Sequence, residues 1–242
     1  MSTITYVRYD LLRTVRNRRF MIFSLAFPVL MFFLIAGNNR HETLDGISLP
    51  VYYLTGMASW GTMSAVVASG ARLAAERSLN WNRQLRLTPL RMRTFFASKA
   101  LGGYMMALLT IAALAVAGTA IGVRIGALRW AEMLALILVG LIPFVVIGII
   151  IGLVSNVDSM GPALGGTVSL FAFLGGAWGP LATKGAMRDL TELLPSYWLV
   201  QSGRVGAGEG GWPLRAWLLI AAWTIALGLA ARWLYQRDTA RQ

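Results

Sequence analysis

Apolar and polar positions along this chain fall into long blocks rather than a short alternation. Six uncharged segments, 20–37, 50–71, 100–123, 133–154, 161–183 and 216–231, are separated by basic or polar stretches. A helix needs about 20 residues to cross a bilayer, with a workable range of about 17–25, so the first five qualify directly. The sixth is shorter and is bounded by Arg215 and Arg232. It spans if those arginines snorkel to the interfaces and Trp212, Trp233 and Tyr235 form an aromatic belt around them. Ahead of the first segment, Ile4, Val7, Leu11, Leu12 and Val15 recur at helical spacing, with Arg8, Arg13, Arg16, Arg18 and Arg19 between them. That pattern predicts an amphipathic helix over 1–19 lying in the headgroup plane; a frayed basic tail is the alternative.

Composition agrees with the pattern. The chain is 57% hydrophobic and 13% charged, with a mean hydropathy of +0.62, whereas a soluble domain carries about 25% charged residues. The expectation is an all-α integral membrane protein forming one domain over 1–242, with no soluble module between its spans. The apolar run after Arg19 lacks a small-residue cleavage site, so it reads as a retained span rather than a removed signal peptide. A net charge of +12 raises the question of nucleic acid, but the arginines cluster beside apolar spans and not on a soluble fold. Membrane lipids are the better partners, at about 1 kcal/mol per basic residue near an anionic surface. With the N-terminus inside, 15 of the 22 basic residues fall on the cytoplasmic side and 7 outside. Positive charge is retained on the cytoplasmic face, so both termini are expected there, in the plasma or inner membrane.

Several chemistries find no residues to carry them. None of the six segments contains Asp, Glu, Lys, Arg or His, which weighs against an ion-coupled transporter. No H-E-x-x-H, no paired carboxylates and no phosphate-binding loop occurs, so no catalytic residue is assigned. A metal site at the only histidine, His41, is disfavoured because no second histidine exists. The chain has no cysteine, hence neither disulfides nor thiolate ligands. Glycines recur at four-residue spacing, as in Gly148 with Gly152 and Gly161 with Gly165; such pairs let helices approach closely, within one subunit or between two. The segment 184–212 carries Met187, Leu190, Leu193, Leu194, Tyr197 and Trp198, and Pro195 divides it. It is predicted to form short external helices, with a glycine-rich turn leading to the last span. In the short connection after span four, Asp158 or Ser159 is the expected helix cap.

The basic run 76–99 lies between the second and third segments. Within it, Glu76-Arg77 is followed by Leu85-Arg86-Leu87-Thr88-Pro89. These residues, together with the basic amphipathic helix, the long loop after span two, the tiny one after span four and the helical segment before span six, resemble the permease subunit of an ABC-2 type exporter. The family's usual Gly-Thr after Glu-Arg is replaced here by residues 78–82, Ser-Leu-Asn-Trp-Asn. The resemblance implies six spans and a cytoplasmic coupling loop over 76–99. Glu76, Arg77, Leu85, Leu87, Thr88 and Pro89 would contact an ATP-binding subunit, with Asp158 as a minor contact. It implies two copies of that ATPase, which bind ATP and Mg, no cofactor on this chain, and a second permease copy or a paralogue. It also implies a cargo route between spans one, two and five, where this chain has Phe27, Met31, Met57, Trp60, Met63, Phe171 and Phe173. Aromatic and Met side chains suit an amphiphilic or hydrophobic cargo moved outward; lipid contact or helix packing is the competing role for each. A membrane scaffold without a transport pathway is the rival function, and a channel is disfavoured because no ring of charge marks a filter.

Overall fold

The computed structural model describes residues 3–44, 46–78, 92–179 and 186–240. Among them the chain is almost entirely helical: α1 (Thr3–Arg16), α2 (Arg18–Ala36), α3 (Leu49–Ala71), α4 (Leu73–Ser78), α5 (Met92–Ala120), α6 (Ala127–Gly140), α7 (Ile142–Val154), α8 (Val157–Gly175), α9 (Ala186–Glu192), α10 (Pro195–Arg204) and α11 (Leu214–Ala240). A two-residue antiparallel hairpin, β1 (Thr43–Leu44) and β2 (Ile47–Ser48), joins α2 to α3 and turns at Gly46, whose φ is +79°.

Among the described residues, four helical stretches are long and apolar enough to cross a membrane: Phe96–Ala120, Ala127–Val154, Val157–Gly175 and Leu214–Arg237; α2 adds the shorter apolar stretch Ser24–Ala36. The second of these unites α6 and α7 across a joint at Leu141, with Pro143 in the first turn of α7, where its missing N–H costs nothing. The chain is therefore a multi-pass all-α membrane protein.

The axis of the fold is α3, which packs against α2, α5, α7, α8 and α10. Most of its 23 residues are buried, and three of its polar side chains bond within the helix. The hydroxyls of Thr55, Ser59 and Thr62 donate to the carbonyls of Tyr52, Thr55 and Ala58 at 2.9, 3.0 and 2.7 Å, which satisfies them without a partner helix. A helix hidden from lipid on all sides needs no uniform hydrophobicity, and α3 is accordingly absent from the four most apolar stretches. Around it, Phe32, Leu54, Met57, Met63, Leu114, Met133, Ile137, Leu141 and Phe144 form the fully buried core. The close approach of α7 to α3 rests on glycine: a Cβ on Gly148 would stand 2.5 Å from the Val67 carbonyl oxygen, and one on Gly70 would stand 2.6 Å from the Gly148 carbonyl carbon.

The two ends of α3 are held differently. Near its N-terminal half, α10 crosses it and the Ser59 hydroxyl also donates to the Leu199 carbonyl at 3.0 Å. Pro195 opens α10, which separates it from α9 as the sequence predicts. The indole N–H groups of Trp198, Trp212 and Trp223 donate to the carbonyls of Glu192, Trp198 and Leu193 at 2.8, 3.0 and 2.8 Å. The first and third satisfy carbonyls that the end of the short helix α9 leaves open, and the second ties Trp212 to α10. At the other end, α1 packs against α5, and Val7 packs against the buried cluster of Leu73, Ile149 and Leu153. The periodic face of α1 thus meets protein in part, while Tyr9 and Leu12 remain exposed.

Candidate functional site

The segment singled out by the sequence begins and ends in helix. Residues Glu76 to Ser78 close α4, and Met92 opens α5 well before the uncharged stretch begins at residue 100. Leu85, Leu87, Thr88 and Pro89 lie outside the described residues. Glu76 and Arg77 are described, and each is anchored to the membrane core.

Glu76 is 5% exposed. Its Oε1 accepts from the Lys99 ammonium at 2.7 Å, and the same ammonium donates to Asp10 Oδ1 at 2.9 Å. One buried cation therefore joins α1, α4 and α5. Arg13 approaches Glu76 Oε1 at 3.5 Å from a largely exposed position, where solvent screening leaves it little energetic weight. Two further bonds tighten the junction: Arg72 Nη1 donates to Thr14 Oγ1 at 3.1 Å, and Ser69 Oγ donates to the Lys99 carbonyl at 2.9 Å. Burial pulls the Arg72 guanidinium below its usual pKa, while the nearby carboxylates of Asp10 and Glu76 oppose that shift.

Arg77 points the other way along α4. Its Nη1 donates to the carbonyls of Leu153 and, at 3.3 Å, Gly152. These are last-turn carbonyls of α7, which have no partner within their own helix and carry the negative end of its dipole, so a guanidinium there is favoured twice over. Immediately beyond them lies the short connection to α8. The two candidate coupling elements are thus brought together, with Arg77 bonded to the helix whose end leads to Asp158. Asp158 itself is exposed in the first turn of α8. The expected cap at Asp158 or Ser159 is corrected: Asn156 is the N-cap, its side chain accepting from the Ser159 N–H at 2.8 Å while the Ser159 hydroxyl accepts from the Asn156 N–H at 3.1 Å. Asp158 favours the helix only as a negative charge at its N-terminus.

The residues named for a cargo route divide into three groups. Met57 and Met63 are core residues, 1% and 2% exposed. Phe173 faces outward on α8. Phe27 is exposed, whereas Met31, Trp60 and Phe171 are half-buried against the core: the rings of Phe27 and Trp60 are 5.3 Å apart, those of Trp60 and Trp178 5.8 Å, and those of Phe171 and Phe144 5.5 Å. Trp60, Met63 and Phe171 border a narrow crevice with Ser196. Trp60 Nε1 and Ser196 Oγ are buried there with no hydrogen-bond partner among the described residues. No group of three or more His, Cys, Asp or Glu side chains able to hold a metal occurs among the described residues.

Sequence reasoning missed Lys99 as the hub and Asp10, Thr14 and Arg72 as its supports. Two signals pointed there: Asp10 is the only acidic residue before Glu42, and Lys99 is one of only two lysines.

A family model described as ABC-2 type transporter matches residues 1–207. The chain belongs to that family. It is also 26% identical over 208 residues to a Bacillus subtilis (strain 168) protein named "Putative transport permease YvfS", an alignment that covers 85% of this chain and 82% of that protein. The class is that of transport permeases rather than enzymes, and membership implies an ABC transporter, energised in general by an ATPase partner.

Proposed function

We propose that this chain is the membrane subunit of an exporter that moves an amphiphilic or hydrophobic compound outward. Six helices span the cell membrane in this reading, α2 and α3 in addition to the four longest apolar stretches, with both termini cytoplasmic. A separate ATP-binding subunit, present in two copies and carrying ATP and Mg, docks on the segment after α4 and on the turn around Asp158. A second permease copy or a paralogue completes the pathway, to which Phe27, Trp60 and Phe171 contribute.

The observation that carries the reading is the double anchorage of α4. Through Glu76 it is tied to α1 and α5, and through Arg77 to the end of α7. A displacement applied beyond Ser78 is therefore delivered to the helices around α3, because packed interfaces shift between discrete arrangements and do not deform continuously.

The absence of native cysteine allows a direct test. Ser78→Cys and Asp158→Cys both lie at exposed positions and avoid the buried ion pairs. A photoactivatable thiol crosslinker attached at either site in native membranes is expected to capture the same nucleotide-binding protein. Capture at both sites of a partner that binds no nucleotide would replace the exporter reading with that of a membrane scaffold.

A further inference from the structure

We propose that the pocket between α1, the α3–α4 joint and α5 holds the phosphate of an anionic phospholipid headgroup. The cavity measures about 700 Å3, and Arg13, Arg16, Arg72, Lys99, Asp10 and Glu76 line it. Four cations and two carboxylates leave a surplus of positive charge. The carboxylates are already engaged, since the Lys99 ammonium binds both at 2.7 and 2.9 Å. One ammonium leaves one negative charge of the two carboxylates, which Arg72 and, at 3.5 Å, Arg13 approach, so the three arginines still carry the surplus; Arg13 and Arg16 are exposed at the mouth. Guanidinium groups match the geometry of phosphate oxygens and are more weakly hydrated than an ammonium, which suits them to that ligand at a partly dehydrated site.

Position selects the lipid over free phosphate. Arg72 follows the last residue of α3, and the apolar stretch of α5 begins at Phe96, three residues before Lys99. The pocket thus sits where these helices leave the hydrocarbon, at the depth of the lipid phosphates. Its rim carries Leu12 and Tyr9, 45% and 61% exposed, which give a glycerol backbone or acyl chain an apolar contact that inorganic phosphate does not use. The site needs no ATPase and no cargo, so it stands or falls separately from the exporter reading.

The test counts bound lipid by native mass spectrometry on the purified full-length chain, delipidated in detergent and titrated with phosphatidylglycerol, phosphatidylcholine or inorganic phosphate. Phosphatidylglycerol is expected to bind in preference to phosphatidylcholine. At about fivefold per arginine, the double variant Arg13→Gln/Arg16→Gln is expected to hold phosphatidylglycerol on the order of thirtyfold more weakly. Both side chains are exposed, so an unchanged unfolding temperature verifies that this variant folds. Arg232→Gln/Arg237→Gln, which removes the same charge from α11 outside the pocket, is expected to change binding less than about twofold. Equal binding of the two lipids, or equal loss in both variants, overturns the proposal. So does displacement of phosphatidylglycerol by an equal concentration of inorganic phosphate, which would assign the pocket to free phosphate.

Discussion

Lys99 bonds two carboxylates that reach it from residues 10 and 76, with the Arg72 guanidinium close to both, and the three bonded side chains are at most 11% exposed. Taking such ions out of water costs several kcal/mol each, offset only while the set is complete. Lys99→Met is therefore expected to destabilise the protein by about 3–5 kcal/mol, and adding Glu76→Gln to it should recover part of that loss. Thermal unfolding in detergent, arranged as a double-mutant cycle, measures the coupling; strictly additive losses would mean that the ion pair contributes no stability of its own. The sequence made Glu76 and Arg77 legible through a motif. It did not reveal their partners, because Lys99 and Asp10 are 89 residues apart and a single sequence carries no information on which distant charges meet. In the charge count Lys99 is one more loop cation, whereas in the fold it is 4% exposed.

Helices in this protein are positioned by contact surfaces that the periodicity of one segment does not disclose. Gly148 with Gly152 and Gly161 with Gly165 show the same spacing, yet only the first pair touches a neighbour. A Cβ on Gly148 or Gly152 meets the backbone of α3 within 2.7 Å, while one on Gly161 or Gly165 meets nothing within 4 Å. Gly148→Ala is expected to cost about 1–3 kcal/mol through overpacking, and Gly161→Ala less than about 0.5 kcal/mol, as read from unfolding midpoints. Similar losses at both sites would place α8 against a neighbour outside the chain. The apolar segments predicted where helices lie, since each must bury its backbone bonds internally. They were poorer guides to where helices start and stop. Hydropathy marks contact with lipid, so it did not reveal that α5 begins at Met92 among basic residues, that α6 begins at Ala127 across Arg129 and Glu132, or that the continuous apolar run breaks at Leu141.

As a whole the molecule is built around one buried helix and leaves others bare. Over its most apolar 18 residues, 56% of the stretch Ala127–Val154 is buried, against 11% for those of α8 and α11, so these two offer most of their surface to lipid or to another chain. The expected orientation follows from charge alone and is tested with single cysteines at opposite ends. A membrane-impermeant maleimide should label Gly210→Cys in intact cells and Ser159→Cys only after permeabilisation; the reverse pattern would invert the topology. The ionic hub also has a bearing on biogenesis. A ribosome makes the chain from its N-terminus, so Asp10 and Glu76 emerge before Lys99 does. By the time Lys99, in the second turn of α5, is made, both carboxylates that bond it in the fold have already been synthesised. The order of residues along the chain thus places both acids ahead of the one cation that joins them.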